Sequence, residues 1–331
     1  MNDDELLDRV SGCILGLAIG DALGFPTEFR RRDAIVAAFP PSGVDDFVAL
    51  HDPRWPPRPL ILGRAHPPGT YSDDTQMTIA LAEGLLAAGR DAPIDALMTA
   101  IGAAFVSWST SDDNNRAPGN ACMTGAQNLA RGAPWREAGV KDSKGCGSAM
   151  RVAPIGLVYA RDRARLLEVA RAQSVLTHRH DAGVEGAAAA ALLVAMATGG
   201  ATPEAMFDAV MTECAPRSPD FAACFSKVRD YVARGVPPEV ALTSGHLGEA
   251  WVAEEAVASA LYCFWRSPDD YRTAVLTAAN TDGDSDSIAC IAGSIAGARN
   301  GARAIPAAWR ANVENAASLR ALADRLARAS A

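Results

Sequence analysis

Residues 280–298 read NTDGDSDSIACIAGSIAGA. Asp282, Asp284 and Asp286 fall within five positions, with small residues between and after them, and the eleven residues that follow carry no charge. A run of Ile, Ala and small residues reads as a buried helix, because Ala loses little on entering one. Like charges so close repel one another and resist burial, yet they stand at the helix mouth. A second stretch, YSDDT at 71–75, repeats the chemistry roughly 210 positions earlier. Ser72 reads as an N-cap there, with Asp73 and Asp74 near the first turn, where the helix dipole favours negative charge. Ile79, Leu81, Leu85 and Leu86 then recur at helical spacing, and Gly89 is a natural stop.

For either cluster alone, capping its own helix is the economical reading. Taken together, each leading into an apolar helix, the clusters point to a shared metal site. Four carboxylates brought together destabilise a fold unless cations neutralise them. Hard divalent ions take oxygen ligands, so Mg²⁺ or Mn²⁺ suits this donor set better than zinc, which favours His or Cys. Spacing alone leaves open whether the two turns meet.

The chain around them has 331 residues, 49% of them hydrophobic and only 6% aromatic. Ala and Leu dominate many segments, which favours packed helices over sheets. Helices are expected at roughly 4–24, 73–89, 93–109, 119–131, 148–158, 161–177, 181–198, 203–213, 220–234, 249–265, 269–280, 285–299 and 316–329. No run of alternating strands and no repeat of fixed period is visible. A proline-rich irregular segment covers about 38–71, and long loops of this kind are often functional. No Gly/Ser linker divides the halves, so one all-α domain, a compact orthogonal bundle spanning 1–331, is expected.

Composition also removes classes of function. A net charge of −8 lacks the basic surplus of a groove that follows a nucleic-acid backbone. Seven scattered cysteines without a CxxC read as reduced thiols, and with the acidic start MNDDELLDR they point to a cytoplasmic protein without a signal peptide. The apolar stretch CILGLAIGDALGF is interrupted by Asp21 and is too short to span a bilayer. A soluble protein is expected.

Two weaker motifs remain. In SKGCGSAMRVAPIG, residues 143–156, Gly145 and Gly147 bracket Cys146 before a helix-like stretch. Glycines there let backbone N–H groups approach an anion, although such a turn is more often only a turn. The spacing is neither GxGxxG nor a Walker loop. In LTHRHD, residues 176–181, His178 and His180 do not share a helix face and make a poor zinc pair. His178 is either a ligand contact or a helix cap; His180 reads as a cap. No GxSxG nucleophile motif occurs.

In order, GCILGLAIGDALGFPTEF (12–29), YSDDTQMT, RAPGNAC (116–122), GCGSAMRVAPIG, LTH and NTDGDSDSIA resemble the ADP-ribosylglycohydrolase family over nearly the whole chain. That resemblance implies an all-α domain with two Mg²⁺ or Mn²⁺ ions in a central cleft. It implies Ser72, Asp73, Asp74, Asp284, Asp286 and Ser287 as metal ligands, and Glu28 as a glutamate that approaches the metals. Ser143, Lys144, Gly145, Cys146 and Gly147 match the segment that holds diphosphate and ribose, and His178 matches a histidine on the ADP-ribose side. The implied partner is an ADP-ribose conjugate, cleaved at C1″ through an oxocarbenium-like state with Asp74 or Glu28 as the catalytic carboxylate. Arginine-type N-linkage is the expected acceptor.

The departures from the family pattern are specific. Asp282 stands where relatives have Gly, serines replace the threonines of the second cluster, Ser72 stands where many have Thr, and Cys146 replaces an asparagine. Ser for Thr keeps the hydroxyl, so acceptor preference is affected more than metal binding. A non-catalytic ADP-ribose binder of the crystallin-like kind, and a hydrolase of a related nucleotide glycoside, are the alternatives.

Overall fold

The computed structural model describes residues 2–56 and 66–330. The chain opens with α1 (Asp3–Gly24), α2 (Arg32–Ala38), α3 (Asp73–Ala88), α4 (Ile94–Ser109) and α5 (Asn120–Ala130). It continues through α6 (Trp135–Ala138), α7 (Ala153–Val158), α8 (Arg163–Val175) and α9 (Asp181–Thr198). Then come α10 (Pro203–Glu213), α11 (Pro219–Phe225), α12 (Lys227–Ala233) and α13 (Pro238–Ala241). The last are α14 (Ala253–Arg266), α15 (Tyr271–Ala279), α16 (Ser285–Asn300), α17 (Ala307–Asn312) and α18 (Ala316–Ser330). Among the described residues no strand forms; Val140 with His178, and Gly145 with Val252, make isolated bridges. The fold is all-α, as the composition predicts.

One contact organises the interior. Gly12, Gly16, Gly20 and Gly24 recur every four residues on α1 and lie against Gly297, Gly293, Ala289 and the Ser285–Asp286 backbone of α16. A methyl group on Gly16 would stand 2.4 Å from the Gly293 carbonyl oxygen, and one on Gly293 would stand 2.2 Å from that of Gly16. The two helices therefore touch backbone to backbone, which brings the acidic start of α16 beside the end of α1. Tyr271 of α15 closes the same junction, its hydroxyl donating to the Gly16 carbonyl at 2.8 Å. From here one continuous apolar cluster extends from Val10 to Leu326.

Helix α9 is long and apolar enough by composition to cross a membrane, but 83% of it is buried within the protein against α7, α8 and α16. Its alanines serve close packing. All seven cysteines are free and buried.

The structure departs from the periodicity in three places. The helix expected at 148–158 starts only at Ala153, where Pro154 sits in the first turn and needs no N–H partner; residues 146–148 form a single 3₁₀ turn. The segment 220–234 divides at Ser226, whose N–H is shared between the Ala222 and Cys224 carbonyls. Short α2, α6, α13 and α17 carry too few residues for a periodic signal, and the last three each follow a proline that presets the entry. Of the irregular segment about 38–71, residues 57–65 lie outside the described residues.

Candidate active site

Asp21 joins the first acidic turn to α1. It is fully buried, and its Oδ1 accepts the Ser72 N–H at 2.8 Å. Its Oδ2 accepts the Thr75 N–H at 2.9 Å and the Thr75 hydroxyl at 2.6 Å. Ser72 caps α3 by accepting the Asp74 N–H at 3.2 Å. Asp73 Oδ2 accepts the Gly119 N–H at 3.3 Å, while Asp74 Oδ2 is buried without a hydrogen-bond partner among the described residues. Sequence reasoning passed over Asp21, although its signal was present as a lone acid inside an apolar helix.

The second turn is set by Gly283, at φ +80°, where a Cβ would stand 2.3 Å from the Glu249 carbonyl oxygen. Glycine meets both demands. Asp284 then caps α16, its Oδ1 accepting the Ser287 N–H at 3.2 Å and its Oδ2 accepting the Cys146 thiol at 3.0 Å. Asp282 points elsewhere: it accepts the Arg32 N–H at 2.6 Å and pairs with Arg31 at 3.6 Å, capping the start of α2. Of the three acids in the turn, two serve the cleft and one serves a neighbouring helix.

Both turns meet. A cavity of about 920 Å³ is lined by Asp73, Asp74, Asp284, Asp286 and Ser287, together with Glu28, Ser143, Gly145, Cys146, Gly147 and His178. Ser72 and Lys144 are not in that lining. The Ser72 side chain is fully buried and caps α3 through the Asp74 N–H. The Lys144 ammonium turns outward to a short contact with Asp220 and to Glu254 at 3.5 Å, held by its carbonyl, which accepts the Ala253 N–H.

Burial raises the pKa of Asp73, Asp74 and Asp284 well above the carboxylate range, and repulsion from Asp286 raises each further. Asp21 is pushed up to about 7 by burial and then by Asp286, against hydrogen bonds from Thr75 and Ser72 that pull it down. Glu28, Asp284 and Asp286 each offer an oxygen within 4.8 Å of the others. An all-oxygen, buried, mutually repelling donor set with an unpartnered Asp74 oxygen fits hard divalent cations.

The rest of the lining is neutral. A Cβ on Gly145 would stand 2.9 Å from His178 Nε2, and one on Gly147 would stand 2.6 Å from Cys122 Sγ and 3.0 Å from His178 Cε1. The glycines are required by the approach of the imidazole. Exposed Phe29 (55%) and Trp251 (39%) also line the cavity, stacked at 5.0 Å and 26°. Lying more than 200 positions apart, they gave no signal in the sequence.

An all-helical frame, clustered buried carboxylates and a glycine-rich turn on one large cavity define a class of protein whose cleft is suited to hard cations. The chain belongs to the ADP-ribosylglycohydrolase family: the family model of that description matches residues 2–331. It is 28% identical to an ADP-ribosylarginine hydrolase Tri1 of Pseudomonas putida (strain GB-1), over 98% of this chain and 80% of the relative. It is 27% identical to ADP-ribosylhydrolase ARH3 of Mus musculus, over 97% and 92% of the two chains. A solved structure titled ADP-ribosylglycohydrolase-related protein complex aligns with TM-score 0.76 and 28% identity, covering 99% of this chain and all of its own. The resemblance carried by the ordered motifs therefore stands, and it supports hydrolase activity on ADP-ribosylated substrates.

Proposed function

We propose that the protein is a divalent-cation-dependent hydrolase that cleaves the bond between C1″ of an ADP-ribosyl group and its acceptor, with arginine-type N-linkage preferred. The observation that carries this reading is the meeting of the α3 and α16 acidic turns in one cavity with the Ser143–Gly147 turn. Asp73, Asp74, Asp284 and Asp286, with Glu28 and the Ser287 hydroxyl, would hold two Mg²⁺ or Mn²⁺ ions, and Ser72 supports Asp74 by capping its helix. Such ions supply charge neutralisation and Lewis acidity toward ligand oxygens.

The chain's own groups do the remainder. Asp74 Oδ2, aligned by the Ser72 cap and the Asp21 staple, accepts the proton of the water that attacks C1″, with Glu28 as the second carboxylate on hand. The backbone at Gly145 and Gly147 lets the diphosphate approach closely. Cys146, standing where relatives have asparagine, donates to Asp284 and holds that carboxylate in place. Phe29 and Trp251, beside Glu28 in the lining, suit a planar cation such as a guanidinium, which agrees with the name of the Pseudomonas relative.

The test uses protein stripped by a chelator and incubated with ADP-ribosylated arginine, with and without Mg²⁺ or Mn²⁺, while free ADP-ribose is measured. Cation-dependent release is expected. No release from any conjugate, with tight ADP-ribose binding by calorimetry, would make the protein a binder.

A further inference from the structure

Arg151 is the largest side chain buried without exposure, and no carboxylate among the described residues pairs with it. A guanidinium so placed must have its charge met by hydrogen bonds. Its Nε donates to Gln173 Oε1 at 2.9 Å, and its Nη2 donates to the Gln173 carbonyl at 3.1 Å and to Thr177 Oγ1 at 2.8 Å. Nη1 meets Met77 Sδ and Cys122 Sγ, and Cζ lies 4.3 Å from the Phe105 ring centre. Gln173 is fixed in turn by donating to the Ser148 carbonyl at 2.9 Å.

Thr177 transmits this arrangement to His178. Arginine only donates, so the Thr177 oxygen accepts from it and its own hydrogen must go elsewhere. Two acceptors are in reach: His178 Nδ1 at 2.8 Å and the Ser174 carbonyl at 3.5 Å. That carbonyl already accepts the Thr177 N–H at 2.9 Å and the His178 N–H at 2.7 Å. The hydroxyl therefore points at Nδ1, and a neutral imidazole carries its proton on Nε2, the edge that faces Gly145 and Gly147 at the cavity.

We propose that Arg151, acting through Thr177, is a positioning residue that locks His178 as its Nε2–H tautomer, making it an uncharged hydrogen-bond donor to a ligand oxygen. The nature of that oxygen, on a phosphate or a ribose, rests on the ADP-ribosyl reading; the tautomer does not. Burial and the Arg151 charge also hold His178 down at about 3, so the ring is neutral at physiological pH. A cationic histidine would bind anions more strongly but would bring a second positive charge close to Arg151, in a region closed to water.

The test is ¹⁵N NMR of the histidine side chains in the intact, ligand-free protein at neutral pH, with His178 assigned by comparison with His178→Asn. The proposal expects a single Nε2–H form in wild type, loss of that form or a tautomer mixture in Thr177→Val, and its return in Thr177→Ser. Calorimetry with ADP-ribose as probe should show about tenfold weaker binding for Thr177→Val, and wild-type affinity for Thr177→Ser. An Nδ1–H form in wild type overturns the proposal. So does an unchanged tautomer in a folded Thr177→Val protein. If Thr177→Val does not fold, the wild-type spectrum decides alone. Absence of hydrolysis in the assay above would leave the spectrum untouched, so the two readings fail separately.

Discussion

The acidic and the neutral parts of the cavity lining are electrostatic opposites. Among the acids, burial and the charge of Asp286 raise the pKa of Asp21, Asp73, Asp74 and Asp284, and Asp74 keeps a buried oxygen with no hydrogen-bond partner among the described residues. That part is incomplete without something positive. Around His178 the hydrogen bonds close internally, from Ser148 through Gln173 and Arg151 to Thr177 and the ring. That part is complete before any ligand arrives. The difference teaches that a cleft can hold one region under strain for a cation and another ready for an anionic or hydroxylated ligand, provided a rigid frame separates the two tasks.

The largest expected effect breaks the comparison at the acids. Asp286→Asn should lower cation-dependent turnover at least about a hundredfold, the range already seen for loss of mere supporting groups around metals. In chelator-treated protein the same change should raise Tm, because the repulsion shared by Asp21, Asp73, Asp74 and Asp284 is removed. Adding Mg²⁺ or Mn²⁺ should raise Tm in wild type and not in the variant. A metal-free Asp286→Asn protein less stable than wild type would show that the acids are not under strain.

Next in size is the frame. Gly16→Ala places a methyl 2.4 Å from the Gly293 carbonyl oxygen, where backbone must move. A loss of about 3 kcal/mol, read from denaturant unfolding, is expected. Because the same junction sets Asp286 against Asp21, cation affinity should fall with it. Gly89→Ala, at a helix end with open space around it, provides the contrast in which only the local backbone is strained.

These elements were unequally legible in the sequence. The acidic turns declared themselves because clustered charge before an apolar run has few structural explanations, and the helices of α3, α9 and α16 followed from spacing and composition. The glycine ridge of α1 was in plain view as GCILGLAIGDALG, yet a repeat of four glycines shows close approach only once its partner is known. Lys144 shared the motif of Gly145 and Gly147, but its direction is fixed by Asp220 and Glu254, which lie far along the chain. Asp282 was expected only to add charge near the site; its actual task, capping α2, stayed hidden because that helix is too short to be foreseen. The chain from Arg151 to His178 joins the turn before α7 to the end of α8 and the residues just beyond it, and only tertiary structure could reveal it.

The two parts should also answer acid with opposite signs. His178 falls from an ordinary value near 6.5 to about 3 on folding. Above pH 6.5 it is neutral in both states and contributes no pH dependence. As pH falls from 6.5 toward 3 the unfolded chain takes up a proton that the folded protein refuses, so stability is lost, about 2 kcal/mol by pH 5. The acids behave in reverse in metal-free protein: their raised values let the folded state hold protons that the unfolded state has released, so stability grows as pH falls. Comparing the unfolding of wild type and His178→Asn at pH 7 and pH 5 separates them. The variant should gain about 2 kcal/mol relative to wild type over that interval.

The smallest effect concerns a region belonging to neither part. The Trp251 ring is exposed, stacks on Phe29 and donates its indole N–H only to Glu249 at 3.3 Å, on the surface, so Trp251→Ala should change folding and cation binding little. An exposed ring over a cation contributes about 0.5–1 kcal/mol, which amounts to a two- to fivefold rise in KM for an arginine conjugate. Affinity for free ADP-ribose should not move, since that ligand lacks the acceptor. Equal losses for the conjugate and for free ADP-ribose would place the rings on the nucleotide instead, and would extend the preformed part of the cleft out to its rim.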